Sequence, residues 1–413
     1  MSDNTSPTRR EVLRYGGAAG VVGLLAGCSG GGSGSATNAD TQTAGDGDAT
    51  DGTATDTDAA SDTSAAESYS VSMSPMGEVT FESPPETVFT RLTHHADMAF
   101  ALGRGDTVTA MHAPDYYSGL WNQFVERLPD VSLDWTGLYS SWEPSKEKLY
   151  ELDNDVHLAD PAWIAGQENW DREDFEEIAT NVSPWFGNSL SDRHAEPAPG
   201  WQEGYQYYTL WEQFELVAEA FQEQARYEAL AAIHDEMRST IDANLPPESE
   251  RPSAVMLAAA DIEEIYAYTL DNPGFLTAHT RPFGARDAFE GSIETNTVVD
   301  FEALLEADPD VILYLGGFEP NTSLPGRREA FKSDPVGSEI TAVQNDRFYP
   351  QGARYQGPIL HLFQLEMTAK QLYPEQFGEW PTYTEGPYPE IPAEEQLFDR
   401  QRVADIINGE FEA

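Results

Sequence analysis

The sequence predicts an α/β protein of two similar lobes joined by one long helix, and three observations carry that prediction. A twelve-residue pattern occurs twice. Glu302–Leu313 reads EALLEADPDVIL and Glu147–Leu158, 155 positions earlier, reads EKLYELDNDVHL, with seven positions identical. Between the copies, Thr209–Ala243 holds neither glycine nor proline and is dense in Glu, Gln, Ala and Leu. On either side of that stretch, apolar runs of strand length alternate with helical periodicity.

Each copy reads as helix, turn and strand. The helix starts near the first Glu, with a cap-type residue just upstream, Ser145 in one copy and Asp300 in the other. A D-x-D turn ends it, enforced by Pro309 in the second copy. Val311-Ile312-Leu313, followed by Tyr314-Leu315, then has the unbroken apolar character of a buried parallel strand. Solenoid periods reach only about 50 residues, so two copies at this separation indicate lobes and not an array.

The first 28 residues read as an export signal. Arg9-Arg10 precede a short, weakly hydrophobic run, Tyr15–Ala26, shorter than the roughly 20 residues a membrane span needs. Paired arginines mark the twin-arginine route for folded proteins. Leu25-Ala26-Gly27-Cys28 closes the run as a lipoprotein cleavage box, with Cys28 lipidated at the mature N-terminus. A single cysteine excludes intramolecular disulfides and CxxC metal or redox sites. Ser29–Ser68 is Gly, Ser, Thr, Ala and Asp without an aromatic or basic residue. It is expected to be a disordered tether with an r.m.s. span of about 35 Å.

Asp plus Glu number 72 against 23 Lys plus Arg, a formal charge of −49 spread along the whole chain. Such self-repulsion is tolerable where salt screens it, the Debye length being about 3 Å at 1 M, so we expect a halophilic protein. The balance excludes nucleic-acid binding, which relies on Lys and Arg.

In the body, strands are expected at Val79–Phe81, Val88–Arg91 and Val108–Met111, with helices from about His95 to Leu102 and at Asp171–Ala179. Thr209–Phe221 and Gln222–Ala243 read as one or two helices, the second presenting Leu230, Ile233, Met237 and Ile241 on one face. A helix of about 22 residues is about 33 Å long, the length of a strut between lobes. Strands follow at Val255–Ala259, Ile265–Tyr268 and Arg347–Tyr349, and Pro358–Tyr373 closes as an amphipathic helix. The boundaries fall at 1–28 (signal), 29–68 (tether), 69–221 (N-terminal lobe), 222–244 (interlobe helix) and 245–413 (C-terminal lobe).

These residues are enough for a resemblance. FESPPETVFTRL with ALGRGDTVTAMHAP, SKEKLYELDNDVHLAD, ARYEALAAI, VVDFEALLEADPDVILYLGG, DPVGSEITAVQNDRFYPQG and GPILHLFQLEMTAKQLYPEQF together resemble the substrate-binding proteins of ATP-driven importers for iron–siderophore complexes and vitamin B12. The resemblance covers Val79–Trp380 and departs at Asn154, where a proline is usual. It implies two Rossmann-like lobes with a ligand cleft between them, and a monomer that docks on an ABC permease in the same membrane. It also implies a docking glutamate on each lobe, at Glu147 and Glu302. No cofactor is implied; the ligand would be an iron-containing chelate.

Ligands of open α/β sheets lie beyond the carboxyl ends of the strands. The residues expected there are His94, His95, Tyr116, Tyr117, Trp142 and Trp163 in the first lobe, and Arg281 and Arg354 in the second. Planar aromatic and guanidinium groups suit a large chelate with apolar edges and anionic or carbonyl oxygens. Direct metal ligation by His94 and His95 is disfavoured, because no third ligand stands at a supporting spacing. Asn181 and Asn321 fit the glycosylation pattern. A ferric siderophore is the expected cargo, with cobalamin, haem or another chelate as alternatives. An exported α/β enzyme is less favoured, since G-x-S-x-G, H-E-x-x-H and G-x-x-x-x-G-K-[ST] are absent. A surface scaffold would need no pocket.

Overall fold

Short runs of β-branched and aromatic residues pair into two separate α/β sheets, preceded by a hairpin. The computed structural model describes residues 68–412 apart from 168, 169, 260, 261, 263 and 321. The export signal with Cys28, nearly all of the tether, and Asn321 therefore lie outside the described residues. Strands β1 (Tyr69–Met73) and β2 (Gly77–Phe81) pair antiparallel, and the Tyr69 hydroxyl donates to the Ala220 carbonyl at 2.6 Å.

The N-terminal sheet is parallel, in the order β5-β4-β3-β6, from β3 (Val88–Thr90), β4 (Val108–Met111), β5 (Tyr139–Ser140) and β6 (Val156–Leu158). Every residue of β3 and β6 is buried, as in a sheet covered on both faces. Its helices are α1 (Thr93–Ala101), α2 (Pro114–Val125), α3 (Lys146–Leu152), α4 (Pro161–Ala165) and α5 (Arg172–Asn181). Two helices follow, α6 (Leu210–Phe221) and the longer α7 (Gln224–Asn244), broken at Gln222, whose φ of 54° is left-handed. Helix α7 buries the Leu230, Ile233, Met237 and Ile241 stripe that the spacing predicts.

The second sheet runs β10-β8-β7-β11-β12, with β9 beside β7. Its strands are β7 (Ser253–Ala259), β8 (Ile265–Tyr268), β9 (Arg286–Asp287), β10 (Thr297–Val299), β11 (Val311–Tyr314) and β12 (Phe348–Pro350). Helices α8 (Phe301–Ala307), α9 (Leu324–Ser333), α10 (Thr341–Gln344), α11 (Pro358–Leu372), α12 (Pro374–Phe377) and α13 (Arg400–Asn408) complete the chain.

The repeated pattern is a repeated structure. Ser145 accepts the Lys148 amide at the start of α3, and Asp300 accepts the Ala303 amide at the start of α8. Both helices stop on a left-handed aspartate, Asp153 at φ 47° and Asp308 at φ 39°. Asn154, at the position of Pro309, is buried and donates to the Thr109 hydroxyl at 2.7 Å.

One expectation is corrected. The closing helix is not amphipathic: all residues of α11 are buried. It packs against α1, α2 and α6 of the other lobe as well as against its own, so protein replaces solvent on its polar side. There Gln364 donates to Gln356 at 2.6 Å, Lys370 to the Phe377 carbonyl at 2.6 Å and Gln371 to the Pro350 carbonyl at 3.0 Å. One apolar cluster consequently runs through both lobes, beside a second confined to the N-terminal lobe.

Beyond Trp380, where no element was expected, the chain returns to the N-terminal lobe. The Tyr388 amide donates to the Gln123 carbonyl at 2.6 Å, and the Tyr388 ring is fully buried beside Phe124 and Phe363. Helix α13 lies on α7, where Arg226 spans the Leu102 and Ile407 carbonyls at 2.8 and 2.9 Å.

Candidate functional site between the lobes

The carboxyl end of β3 delivers Arg91, whose guanidinium is wholly buried and lies 4.0 Å from the Trp142 ring centroid and 5.0 Å from that of Trp163. A guanidinium lodged against indole rings is a use of arginine that its planar, weakly hydrated head favours. His112, beyond β4, is 4.2 Å from Trp142 and 5.5 Å from Tyr117, and Tyr117 is 5.0 Å from Tyr116. Four expected residues, Tyr116, Tyr117, Trp142 and Trp163, are thus joined into one aromatic chain. Arg91 and His112, which the sequence reading did not single out, hold that chain together. Arg91 was legible in principle: it stands at the carboxyl end of the VFTR run, a position open to ligand as well as to strand.

Burial and then the Arg91 charge push the His112 pKa down to about 3, so its ring is neutral. Burial raises the Tyr117 hydroxyl well above its usual range.

His94 and His95 form a second group, fully buried in the first turn of α1. Their rings are 3.8 Å apart, and His94 is 4.9 Å from Phe275 of the other lobe and 6.1 Å from Tyr355. His95 Nε2 meets Gln213 Oε1 at 2.8 Å. Burial lowers His95 to about 3 and His94 well below its ordinary value, so both are neutral packing partners at the lobe boundary. Among the described residues, no three or more His, Cys, Asp or Glu side chains are grouped to hold a metal ion.

The two arginines of the C-terminal lobe have different surroundings. Arg281 turns into its own loop, donating to the Gly274 carbonyl and the Thr277 hydroxyl, both at 2.9 Å, and to the Asn272 carbonyl. It is not brought together with the other candidates. Arg354, in the loop after β12, crosses the lobe boundary: its Nε and Nη2 both donate to Asp192 Oδ2, the former at 2.8 Å. Its guanidinium lies 4.9 Å from the Tyr355 ring. Burial opposes the Arg354 charge, but Asp192 and its neighbours hold the pKa above the ordinary value. Thr93 adds a second crossing bond, from its hydroxyl to the Tyr355 carbonyl at 2.7 Å. Asp192 sits in a connection that carries no motif, and no sequence signal pointed to it.

Glu147 and Glu302 occupy the same place in the two repeat units, the first turns of α3 and α8, and both are exposed. Asn181 is exposed at the last turn of α5. No helix among the described residues is long and apolar enough to cross a membrane.

Solved structures share this architecture at low identity. The substrate-binding protein PiuA of an iron uptake ABC transporter from Streptococcus pneumoniae aligns with a TM-score of 0.52 at 16% identity, covering 74% of this chain and 99% of that one. The petrobactin-binding protein YclQ from Bacillus subtilis aligns at 0.53 and 16% identity, covering 75% and 99%. The periplasmic catecholate-siderophore binding protein VctP from Vibrio cholerae aligns at 0.51 and 15%, covering 74% and 99%. At such identities the likeness establishes the two-lobed fold. No curated protein matches the chain. The profile of a family described as periplasmic binding protein matches residues 93–355, from the first residue of α1 to the aromatic partner of Arg354. The chain belongs to the periplasmic binding protein family.

Proposed function

We propose that this protein is the extracytoplasmic solute-binding component of an ABC importer, capturing a ferric siderophore between its lobes and handing it to the membrane permease. The observation that carries the reading is the placement of stacked aromatic and guanidinium groups at the carboxyl ends of the strands in a periplasmic binding fold. Arg91, Trp142, Trp163, His112 and Tyr117 stand on one lobe, and Arg354 and Tyr355 on the other. Such faces suit a bulky chelate better than a small polar solute, which needs many convergent hydrogen-bonding groups. The neighbours' own ligands, iron, petrobactin and catecholate siderophores, point the same way.

In this reading the protein binds and releases without turnover. Lobe movement is small, because α11 and the core shared by both lobes resist a wide hinge. Cys28 carries the lipid anchor after twin-arginine export, the tether spans to the permease, and Glu147 and Glu302 are the docking points. Titration of the protein in molar KCl with ferric siderophores, cobalamin and haem, followed by tryptophan quenching, tests it. Saturable one-to-one quenching by a ferric siderophore is expected; saturation by cobalamin or haem alone would reassign the cargo.

A further inference from the structure

Arg354 does not face the cleft as a bare cation. Its partner Asp192 comes from the opposite lobe, and the pair is nearly enclosed, with 13% of the Arg354 side chain and 4% of the Asp192 side chain exposed. The turn that carries the carboxylate is fixed where it stands. Asp160 Oδ2 accepts the Ser189 and Leu190 amides at 2.8 and 3.3 Å, holding the turn Leu190–Asp192 from below. Asn188 accepts the Ser191 amide and hydroxyl, and itself donates to the Ser74 and Gln206 carbonyls at 3.1 and 2.9 Å. From the other lobe, Gly274 lies so close that a Cβ there would overlap the Asp192 carbonyl.

With its turn pinned and its Oδ2 accepting from two Arg354 nitrogens, the Asp192 carboxylate stays beside the guanidinium that an incoming anion would seek. Any negative oxygen brought to Arg354 would lie beside Asp192 in a site with little water, where like charges repel strongly. A second carboxylate, Glu319 in the loop after β11, is near enough to act on the buried Tyr117 hydroxyl. Arg193, next to Asp192, is half-buried and is the further cation acting on Tyr355. The remaining guanidinium, Arg91, is buried against two indoles, Trp142 and Trp163.

We propose that Asp192 is a specificity-determining residue that cancels the charge of Arg354 and sets the cleft against highly anionic chelates, so that the cargo is a chelate of little or no net negative charge. The inference rests on the reading of the cleft as a ferric-chelate site. Asp192 acts through Arg354, and a purely structural pair would not alter the charge preference of the cleft.

The test compares a neutral ferric trihydroxamate with a ferric tris-catecholate, which carries three negative charges, as probes of the whole protein in molar KCl. Wild type is expected to bind the neutral complex at least about tenfold more tightly. Asp192→Asn should move the affinity ratio about tenfold or more toward the tris-catecholate, whereas Asp192→Glu, which keeps the charge, should retain the wild-type order. Tighter wild-type binding of the tris-catecholate overturns the proposal without need of any variant. An unchanged ratio in a folded Asp192→Asn protein overturns it too. In both cases the ferric-chelate reading survives. Absence of binding of either complex by every protein would instead remove that reading and this inference together.

Discussion

Asp97, on helix α1 of the N-terminal lobe, accepts the backbone N–H of Leu360 at 3.1 Å and thereby caps helix α11 of the C-terminal lobe. The N-cap residue of α11 is Gly357, which has no side chain to do so, and a Cβ there would overlap the Asp97 carboxylate. An orphaned helix end in one lobe is therefore satisfied by a buried acid from the other. The lobes are locked in register at the back of the site by a polar contact as well as by the shared core.

This contact has a pH signature. Burial pushes the Asp97 carboxyl up from 3.8 to about 7, against the pull of the Leu360, Ile359 and Gly357 amides. Between those values the folded protein holds a proton that the unfolded chain has released. The stabilising contribution is thus complete below about pH 4 and lost as pH rises through about 7. Asp97→Asn keeps the acceptor and removes the titration. We expect thermal unfolding from about pH 5 to 8 to show a flatter stability slope in the variant, by up to about 1.4 kcal/mol per pH unit. Parallel slopes would show that Asp97 does not titrate in this range.

Gly274→Ala tests how closely the lobes meet at Asp192. The Gly274 φ of −75° is open to any residue, so backbone strain is not at issue. The constraint is the overlap of a new Cβ with the Asp192 carbonyl. A loss of about 1–3 kcal/mol is expected from denaturant midpoints, the usual cost of overpacking a rigid contact. A neutral effect would mean that the turn yields.

The tail beyond Trp380 depends on Glu366. This residue, fully buried on α11, accepts the Tyr388 hydroxyl at 2.8 Å and the Leu397 amide at 2.7 Å, and pairs with Arg400. Glu366→Ala leaves the Arg400 charge buried beside Phe363 and Phe398, a change expected to cost about 3–5 kcal/mol. Glu366→Leu combined with Arg400→Met removes both charges and should cost clearly less. Equal losses in the two proteins would point to packing and not to charge.

With a net charge of −49, the folded state repels itself at low ionic strength. Surface ion pairs such as Lys146 with Glu177 at 2.7 Å and Arg402 with Glu236 at 2.8 Å are partly exposed and offset little of this repulsion. The thermal midpoint should therefore climb steeply from about 0.1 M to molar KCl, as the Debye length shrinks from about 10 to about 3 Å. A flat profile would remove the halophilic reading of the composition.

What was legible in the sequence is what short-range chemistry determines. Ser145 and Asp300 cap their helices through an amide three residues on, and Asp153 and Asp308 end them in left-handed turns. All of that is written within a dozen residues. The spacing of Leu230, Ile233, Met237 and Ile241 likewise predicted the buried face of α7. The character of α11 was not legible, because Gln364, Glu366 and Lys370 read as a solvated face and nothing local announces that helices α1, α2 and α6 pack over α11 or that Arg400 pairs with Glu366. The same holds at the site. Trp142 and Tyr117 stand where the strand-end rule puts them, whereas the Asp192–Arg354 pair spans 162 positions and no local pattern encodes it.

Glu147 and Glu302 are exposed in the first turns of two helices with equivalent capping bonds, from Ser145 and Asp300, the same length and the same left-handed aspartate stop. A glutamate at that position is favoured in any helix by the N-terminal dipole, so its presence alone is weak grounds for docking. Two equivalent acidic helix starts, one on each lobe, are stronger grounds, because a permease built about a two-fold axis would meet both in the same way. Both residues are exposed at helix starts, whereas Arg91 is buried against Trp142 and Trp163. Charge reversal at both positions should leave chelate affinity within about twofold, since surface changes away from the site are near neutral, while uptake by cells or permease-bearing vesicles is lost. Reversal at one position should reduce uptake partially. Normal uptake with both reversed would place the permease contact elsewhere on the lobes.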